Sequence, residues 1–307
     1  MANAVQAPYT ILLVGETGVG KSSILEYIAN VLLGNDIDHY NSEILDHNNE
    51  QGGPDNQSQT NSARLYKLTS KNGMVVSASI LGAIPMRNLL IPKVRILDTP
   101  GLADTRGIEQ DEIHKRNIAS VIQKHIDSVT AVLILANGTV PRLTVGTDYA
   151  LSTLSAIFPK SLADNISFMF TNVPSPLSWN FSEDTIPEVL RAAEPFLFDN
   201  PVALQKKYHT LKGDLTKKKV RTVMRKAVLA GEERALEELV KLFDWLDRLR
   251  SQPTTEIVYL YGMSQNIEAT ITSTFAQMDQ AATKKAGIDK IMHAVKNDTT
   301  VRPSLCS

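Results

Sequence analysis

The sequence has almost no cysteine: Cys306 is the only one in 307 residues. That excludes an internal disulfide and a thiolate metal cluster, and it fits a reducing compartment. Neither sign of charge prevails. The formal net charge is −1, so the whole chain has no electrostatic pull toward nucleic acid or acidic membranes. No uninterrupted apolar run approaches a membrane span. The first residues lack the charged and apolar regions of a signal peptide. These absences lead us to expect a soluble, cytoplasmic protein with no nucleic-acid partner and no membrane span. Hydrophobic residues still make up 43% of the chain, enough for a substantial core. The length accommodates one large domain, or a domain with an accessory part.

What is present begins at residue 11. Ile11 to Val14 is a short apolar run, expected to be a buried parallel strand. It leads into Gly15-Glu16-Thr17-Gly18-Val19-Gly20-Lys21-Ser22, which fits G-x-x-x-x-G-K-[ST]. From Ser23 to Leu33 apolar residues recur at helical spacing. Strand, loop and helix are the context this motif needs. Glycines let backbone N–H groups turn toward phosphate oxygens, and the helix N-terminus adds positive potential. Lys21 is expected to reach the β- and γ-phosphates and Ser22 to ligate Mg²⁺. The bland alternative is a glycine-rich turn that binds nothing.

Downstream, Asn35 to Ser62 is rich in Asn, Gln, Asp and Gly and can bury no core. It is a surface loop, and in a P-loop switch protein this position holds the first switch. Within Ser58-Gln59-Thr60, Thr60 is the first choice as metal sensor, with Ser58 and Ser62 close by. Arg64 to Ser70 and Met74 to Leu81 are expected to be strands joined by a turn at Lys71-Asn72-Gly73. Lys93 to Leu97 is a strand ending in Asp98-Thr99-Pro100-Gly101, a D-x-x-G motif. Asp98 is suited to the Mg²⁺ shell, and the Gly101 N–H to sensing a γ-phosphate. Strands Val129 to Ala136, Ile166 to Phe170 and Pro195 to Phe198 then alternate with helices Gly107 to Ile126, Gly146 to Phe158 and Ile186 to Ala193. That alternation argues for an α/β fold, a parallel or mixed sheet covered on both faces.

Past Val202 the character changes. Residues 202 to 250 are helical and charged, with Lys217-Lys218-Lys219, Arg221 and Arg225 expected to be a solvated face. A long helix follows Pro253. Ile257, Leu260, Ser264, Ile267, Ile271, Thr274, Met278, Ala281, Lys285, Ile288, Met292 and Val295 recur at alternating steps of three and four, a heptad seam. That helix either packs along the protein's own body or forms a coiled-coil arm with a partner.

Three features coincide: Gly15 to Ser23, the stretch Asp98-Thr99-Pro100-Gly101-Leu102-Ala103-Asp104-Thr105, and a buried strand followed by Thr171-Asn172. Together they resemble the paraseptin GTPases, the septin, Toc and GIMAP (AIG-type) group. Ser58-Gln59-Thr60, Phe170-Thr171-Asn172-Val173 and Phe198-Asp199-Asn200-Pro201-Val202 look like the fungal AIG-type branch of it. The resemblance covers residues 10 to about 201 by motif, and 202 to 297 only by helical pattern. It implies a P-loop NTPase fold, a Ras-like three-layer α/β/α G domain over 1–201. A helical extension over 202–251, a heptad helix over 252–297 and a tail over 298–307 follow.

By the same resemblance the ligands are GTP or GDP with Mg²⁺. It also implies pairing across the nucleotide face, and the leading expectation is slow hydrolysis regulated by nucleotide-dependent dimerisation through the G-domain face. The nucleotide-binding residues are Gly15, Glu16, Thr17, Gly18, Val19, Gly20, Lys21, Ser22 and Ser23, with amides from Asn172 and Asn200. Trp179 either packs or stacks on a base, and packing is the expectation. Ser22, Thr60 and Asp98 are the metal set; Lys21, Thr60, Gly101 and Arg142 are the catalytic set. Arg142-Leu143-Thr144 resembles the Arg-Tyr-Thr of hydrolysing GIMAP proteins, whose arginine crosses a face-to-face dimer. Arg106 is the second candidate.

Three departures qualify this. Thr171-Asn172-Val173-Pro174 lacks both the Lys and the Asp of the usual [NT]-K-x-D base-recognition motif, so guanine preference rests on kinship. Leu102 stands where a catalytic Gln would follow Gly101. Residues 77–92 form an apolar piece between two strands that look continuous in relatives: a true insertion, or unspliced intron sequence. A non-hydrolysing nucleotide-gated scaffold and a P-loop ATPase therefore stand as alternative functions.

Overall fold

The computed structural model describes residues 8–41, 62–70, 93–101, 108–148, 151, 158–191, 195–211 and 218–301. Strand β1 (Tyr9–Gly15) is buried along its whole length. An all-apolar run in a parallel sheet has both faces covered. Ile11 and Leu13 join the core shared with the helices, while Leu12 and Val14, equally buried, point the other way. The sheet also contains β2 (Arg64–Thr69), β3 (Lys93–Asp98), β5 (Ala131–Asn137), β6 (Ile166–Thr171) and β7 (Phe196–Leu197). Their order is β2-β3-β1-β5-β6-β7. All pairs are parallel except β2 with β3.

The neighbours of β1 are therefore β3 on one side and β5 on the other. Connections leave to opposite sides here, and a crevice opens beyond the strand C-termini. The phosphate loop, the D-x-x-G motif and the loops after β5, β6 and β7 all emerge at that edge.

Helix α1 (Lys21–Leu33) follows the phosphate loop, and α2 (Ile108–His125) follows β3. Beyond the sheet come α3 (Pro201–Leu211) and α4 (Lys218–Arg248). Despite its charges, α4 buries Ala235, Leu239, Leu242, Phe243 and Leu246 in the same core as Ile11, Ile24 and Leu133. The extension expected over 202–251 thus shares the core of the sheet domain, and residues 1–258 form one compact unit. Helix α5 (Thr255–Val301) begins in that unit; from Tyr259 the chain forms a second one. No helix among the described residues is long and apolar enough to cross a membrane.

Several expectations need correction. The strand expected over Val129 to Ala136 is broken at Thr130. Its first part, β4 (Ser128–Val129), pairs instead with β8 (Gln252–Pro253), a bridge the sequence did not signal. The helix expected over Ile186 to Ala193 is only a 3₁₀ turn at Glu188–Leu190 where it is described. Pro187 holds Ile186 in an extended conformation, which stops a helix from starting there. The long helix runs to Val301, past the tail boundary expected at 298. The turn at Asn72-Gly73, the strand Met74 to Leu81, the segment 77–92, Thr60 and Arg106 lie outside the described residues.

Candidate nucleotide-binding site

The loop between β1 and α1 takes its shape from residues that tolerate unusual backbone angles. Gly18 and Gly20 have φ of +77° and +106°, in the left-handed region that a side chain penalises. Val19 between them is buried in the core, so its side chain anchors the loop. Lys21 is almost fully buried. Its Nζ donates to the carbonyls of Gly15 at 3.1 Å and Glu16 at 2.9 Å, arching back over the loop it follows. Ser23 is half-buried in the first turn of α1.

The second motif meets the first. Asp98 ends β3 fully buried, and its Oδ2 accepts from the Ser22 hydroxyl at 3.0 Å. A methyl group on Gly101 would lie 2.6 Å from Cα and 2.7 Å from N of Thr17, so only glycine permits this approach. Thr17 Oγ1, buried beside Gly101, has no hydrogen-bond partner among the described residues. Thr99 fixes the strand end by donating to the Leu13 carbonyl at 2.7 Å.

A hydroxyl and a carboxylate oxygen are hard donors that suit Mg²⁺. Among the described residues no cluster of three acidic, His or Cys side chains exists, so such a cation would complete its shell with phosphate oxygens and water. The unpartnered Thr17 hydroxyl is a further place for a ligand oxygen.

The third region is where the sequence reading expects the base. Gly138 N–H donates to the Thr171 carbonyl at 2.9 Å, and Val173 N–H to the Phe198 carbonyl at 3.2 Å. These bonds draw the loops after β5, β6 and β7 together. Thr171 reaches the phosphate loop: its Cγ2 lies 3.8 Å from where a Cβ on Gly20 would be. Asn172 has φ of +61°, the one non-glycine residue with positive φ among those described, and its amide lies 3.5 Å from Asn137 Oδ1. Asn200 is committed in part to structure, since its Oδ1 accepts from Val202 N–H at the start of α3. Trp179 packs against Phe170 at 5.4 Å, within a cluster that includes Phe181. Its place is in that aromatic cluster, as expected of the packing alternative.

Arg142 is exposed on the loop after β5. Two residues on, Thr144 donates to Glu16 Oε2 at 2.5 Å. The sequence did not reveal this contact, nor the place of Asp199. Asp199 sits half-buried after β7. Burial pushes its carboxyl above the ordinary range, while Arg234 and the Asn200 N–H act the other way. It is the one carboxylate on the segments 137–144, 171–175 and 198–200. The absence of an acid in Thr171-Asn172-Val173-Pro174 was the signal that could have prompted a search there.

Residues 10–158 match a family model described as 50S ribosome-binding GTPase, just under half of the chain. The segment has the P-loop GTPase fold. Comparison with curated proteins gives no match. Among solved structures the chain is similar to Toc33 from Arabidopsis thaliana in complex with GDP and Mg²⁺. That likeness has 15% identity and a TM-score of 0.41, over 64% of this chain and 72% of that one. Toc33 from Arabidopsis thaliana with Mg²⁺ and GMPPNP gives 16% identity and a TM-score of 0.39, over 63% and 71%. Neither value decides the fold; the strand order and the phosphate loop do.

Proposed function

We propose that this chain is a Mg²⁺-dependent, GTP-binding switch of the septin, Toc and GIMAP type, with slow hydrolysis that rises when two G domains meet. The junction of Ser22 with Asp98 and of Thr17 with Gly101 carries this reading, because it joins the phosphate loop to the element that would sense a γ-phosphate. Ser22 and Asp98 would hold Mg²⁺, with Thr60 added in the triphosphate state, and the ion supplies charge neutralisation on the phosphates. Lys21 adds positive charge at the same place. Arg142, exposed near the phosphate loop, is the arginine that a partner subunit would receive. The ligand arrives at the crevice from solvent, and the protein acts in the cytoplasm.

Guanine preference is assigned to Asp199 rather than to the segment 171–174. Guanine offers two donors on one edge, N1–H and the 2-amino group, and a carboxylate accepts both. Adenine presents a bare N1 there and meets the same carboxylate with repulsion. Half-burial strengthens such a bond, since fewer waters compete.

The test is a titration of the wild type and Asp199→Asn with GTP, ATP and xanthosine triphosphate. We expect the wild type to prefer GTP over ATP by tenfold or more, on the order of 1.4 kcal/mol. We expect Asp199→Asn to lose that preference and gain xanthosine triphosphate, whose C2 carbonyl accepts from the new amide. Equal or tighter binding of ATP by the wild type would make the protein a P-loop ATPase. An unchanged GTP preference in the variant would remove Asp199 from the base site.

A further inference from the structure

The Glu16–Thr144 contact has no role in the functions assigned so far. Glu16 is the first variable residue of the phosphate loop, and an acid beside a polyphosphate site is electrostatically unfavourable. Here its carboxylate is turned to the Thr144 hydroxyl, 2.5 Å away, while its carbonyl receives Lys21 Nζ at 2.9 Å. One residue therefore grips the phosphate-loop lysine with its main chain and the loop after β5 with its side chain.

Thr144 has a second duty. Its Oγ1 accepts from Thr147 N–H at 3.0 Å, and its carbonyl accepts from Asp148 N–H at 2.9 Å. It caps the helical turn at 145–148. On the other side of Arg142, the Pro141 carbonyl accepts from Ser182 N–H at 3.0 Å. Arg142 thus stands between two anchors, Pro141 tied to the loop beyond β6 and Thr144 tied to the phosphate loop. Without the Glu16 contact, the second anchor would be only the cap of its own helix.

We propose that Glu16 and Thr144 form a clasp that positions Arg142 to place its guanidinium charge beside a partner's phosphates. Both are positioning residues, and the proposal rests on the Arg142 reading above. A hydrogen bond to a carboxylate is among the stronger ones available to a side chain. Holding the loop ordered before the partner arrives removes an entropic cost from the encounter. Because the clasp starts one residue after Gly15, the loop follows any movement of the phosphate loop itself.

Four variants of the full chain test this: Thr144→Val, Thr144→Asp, Thr144→Ser and Arg142→Ala. The measurement is GTP turnover per protomer as a function of protein concentration, with GTP affinity and thermal unfolding measured alongside. Valine removes both clasp and cap. Aspartate keeps the cap, being a good capping residue, but cannot donate to Glu16 and repels it. Serine keeps both. We expect Val and Asp to lower the concentration-dependent turnover by about tenfold or more, with GTP affinity within about threefold of wild type. Serine should retain the rise.

If Thr144→Asp turns over like wild type while Arg142→Ala loses the rise, Thr144 is a helix cap only and the clasp is overturned, with the Arg142 reading intact. If Arg142→Ala keeps the rise, that reading fails and the clasp fails with it. Should Thr144→Val not fold, the contrast between Asp and Ser alone decides.

Discussion

Gly101 is where two motifs separated by most of a hundred residues come within van der Waals contact. A methyl group there would press on the Cα and N of Thr17, backbone atoms that cannot swing aside. Gly101→Ala must then push the D-x-x-G turn away from the phosphate loop. A diphosphate needs mainly the phosphate loop, whereas a triphosphate needs both elements together. We expect Gly101→Ala to weaken GTP by about tenfold or more and GDP much less, measured with fluorescent nucleotides. Equal loss of both would mean that the substitution simply deforms the phosphate loop. The parts of this site that the sequence displayed are those whose chemistry is local. Gly18, Gly20, Lys21 and Ser22 lie within five residues, and each type is demanded by the loop. Thr144 and Asp199 stand in stretches that the resemblance picked out, but their contacts stayed hidden because the partner of a loop threonine or aspartate is not written in the residues beside it. Their partners are fixed by the sheet order, across 128 residues in the case of Glu16 and Thr144.

At the level of elements, α1 is joined to α3 and α4 by the segment that follows it. Asn30, fully buried in α1, donates to the carbonyls of Glu26 and Asn41 and accepts from Asn35 Nδ2 and Asn41 N–H. That network turns the chain sharply after α1. The returning segment is then held by the helices: Gln205 Nε2 donates to Asp38 at 3.1 Å, Arg225 pairs with Asp38, and the Tyr40 hydroxyl donates to Glu232. Lys206 pairs with Glu26 on α1 at 3.0 Å. The basic run expected to be only a solvated face thus contributes Arg225 to a specific contact, which charge pattern cannot show. The apolar face of α4 was legible by period; its charges concealed how deeply it is buried.

Glu232 makes this junction sensitive to pH. Burial raises its carboxyl above the ordinary 4.5, with Asp36 acting in the same direction and the Tyr40 hydrogen bond opposing. A raised folded-state pKa means that the folded protein holds the proton more tightly than the unfolded chain. The associated stability is fully present below about 4.5 and is lost as pH rises through the folded value. Glu232→Gln keeps an acceptor for Tyr40 and cannot ionise. Its unfolding temperature should match wild type near pH 4 and exceed it at pH 7, by about 1–3 °C given the partial exposure of the site. A variant less stable than wild type at pH 7 would show that the charged hydrogen bond outweighs the cost of burial.

At the scale of the molecule, all described phosphate and base elements lie in the unit that ends at Val258, and the helix beyond it has a different character. Ile267, Ile271, Met278, Ile288, Met292 and Val295 are exposed along the heptad seam of α5. We argue for a second copy of the same helix, parallel and in register, as their cover. In that arrangement Lys284 at a g position faces Asp289 at the following e position of the partner helix, twice by symmetry. Lys285 at an a position opposes its own copy and weakens the pair, as a buried charge at a seam does. The expected association is therefore weak and dependent on concentration. Sedimentation of the GDP-bound chain should show a monomer–dimer equilibrium that disappears when residues 259–307 are removed, while GDP and GTP affinities stay within about twofold. Lys285→Leu should tighten that dimer by about tenfold or more, because it replaces a repelling pair by an apolar one within the seam. If the full chain and Lys285→Leu both sediment as monomers up to high concentration, the seam is not a self-pairing surface. If the truncated chain folds but no longer binds GDP, the helix completes the nucleotide site instead.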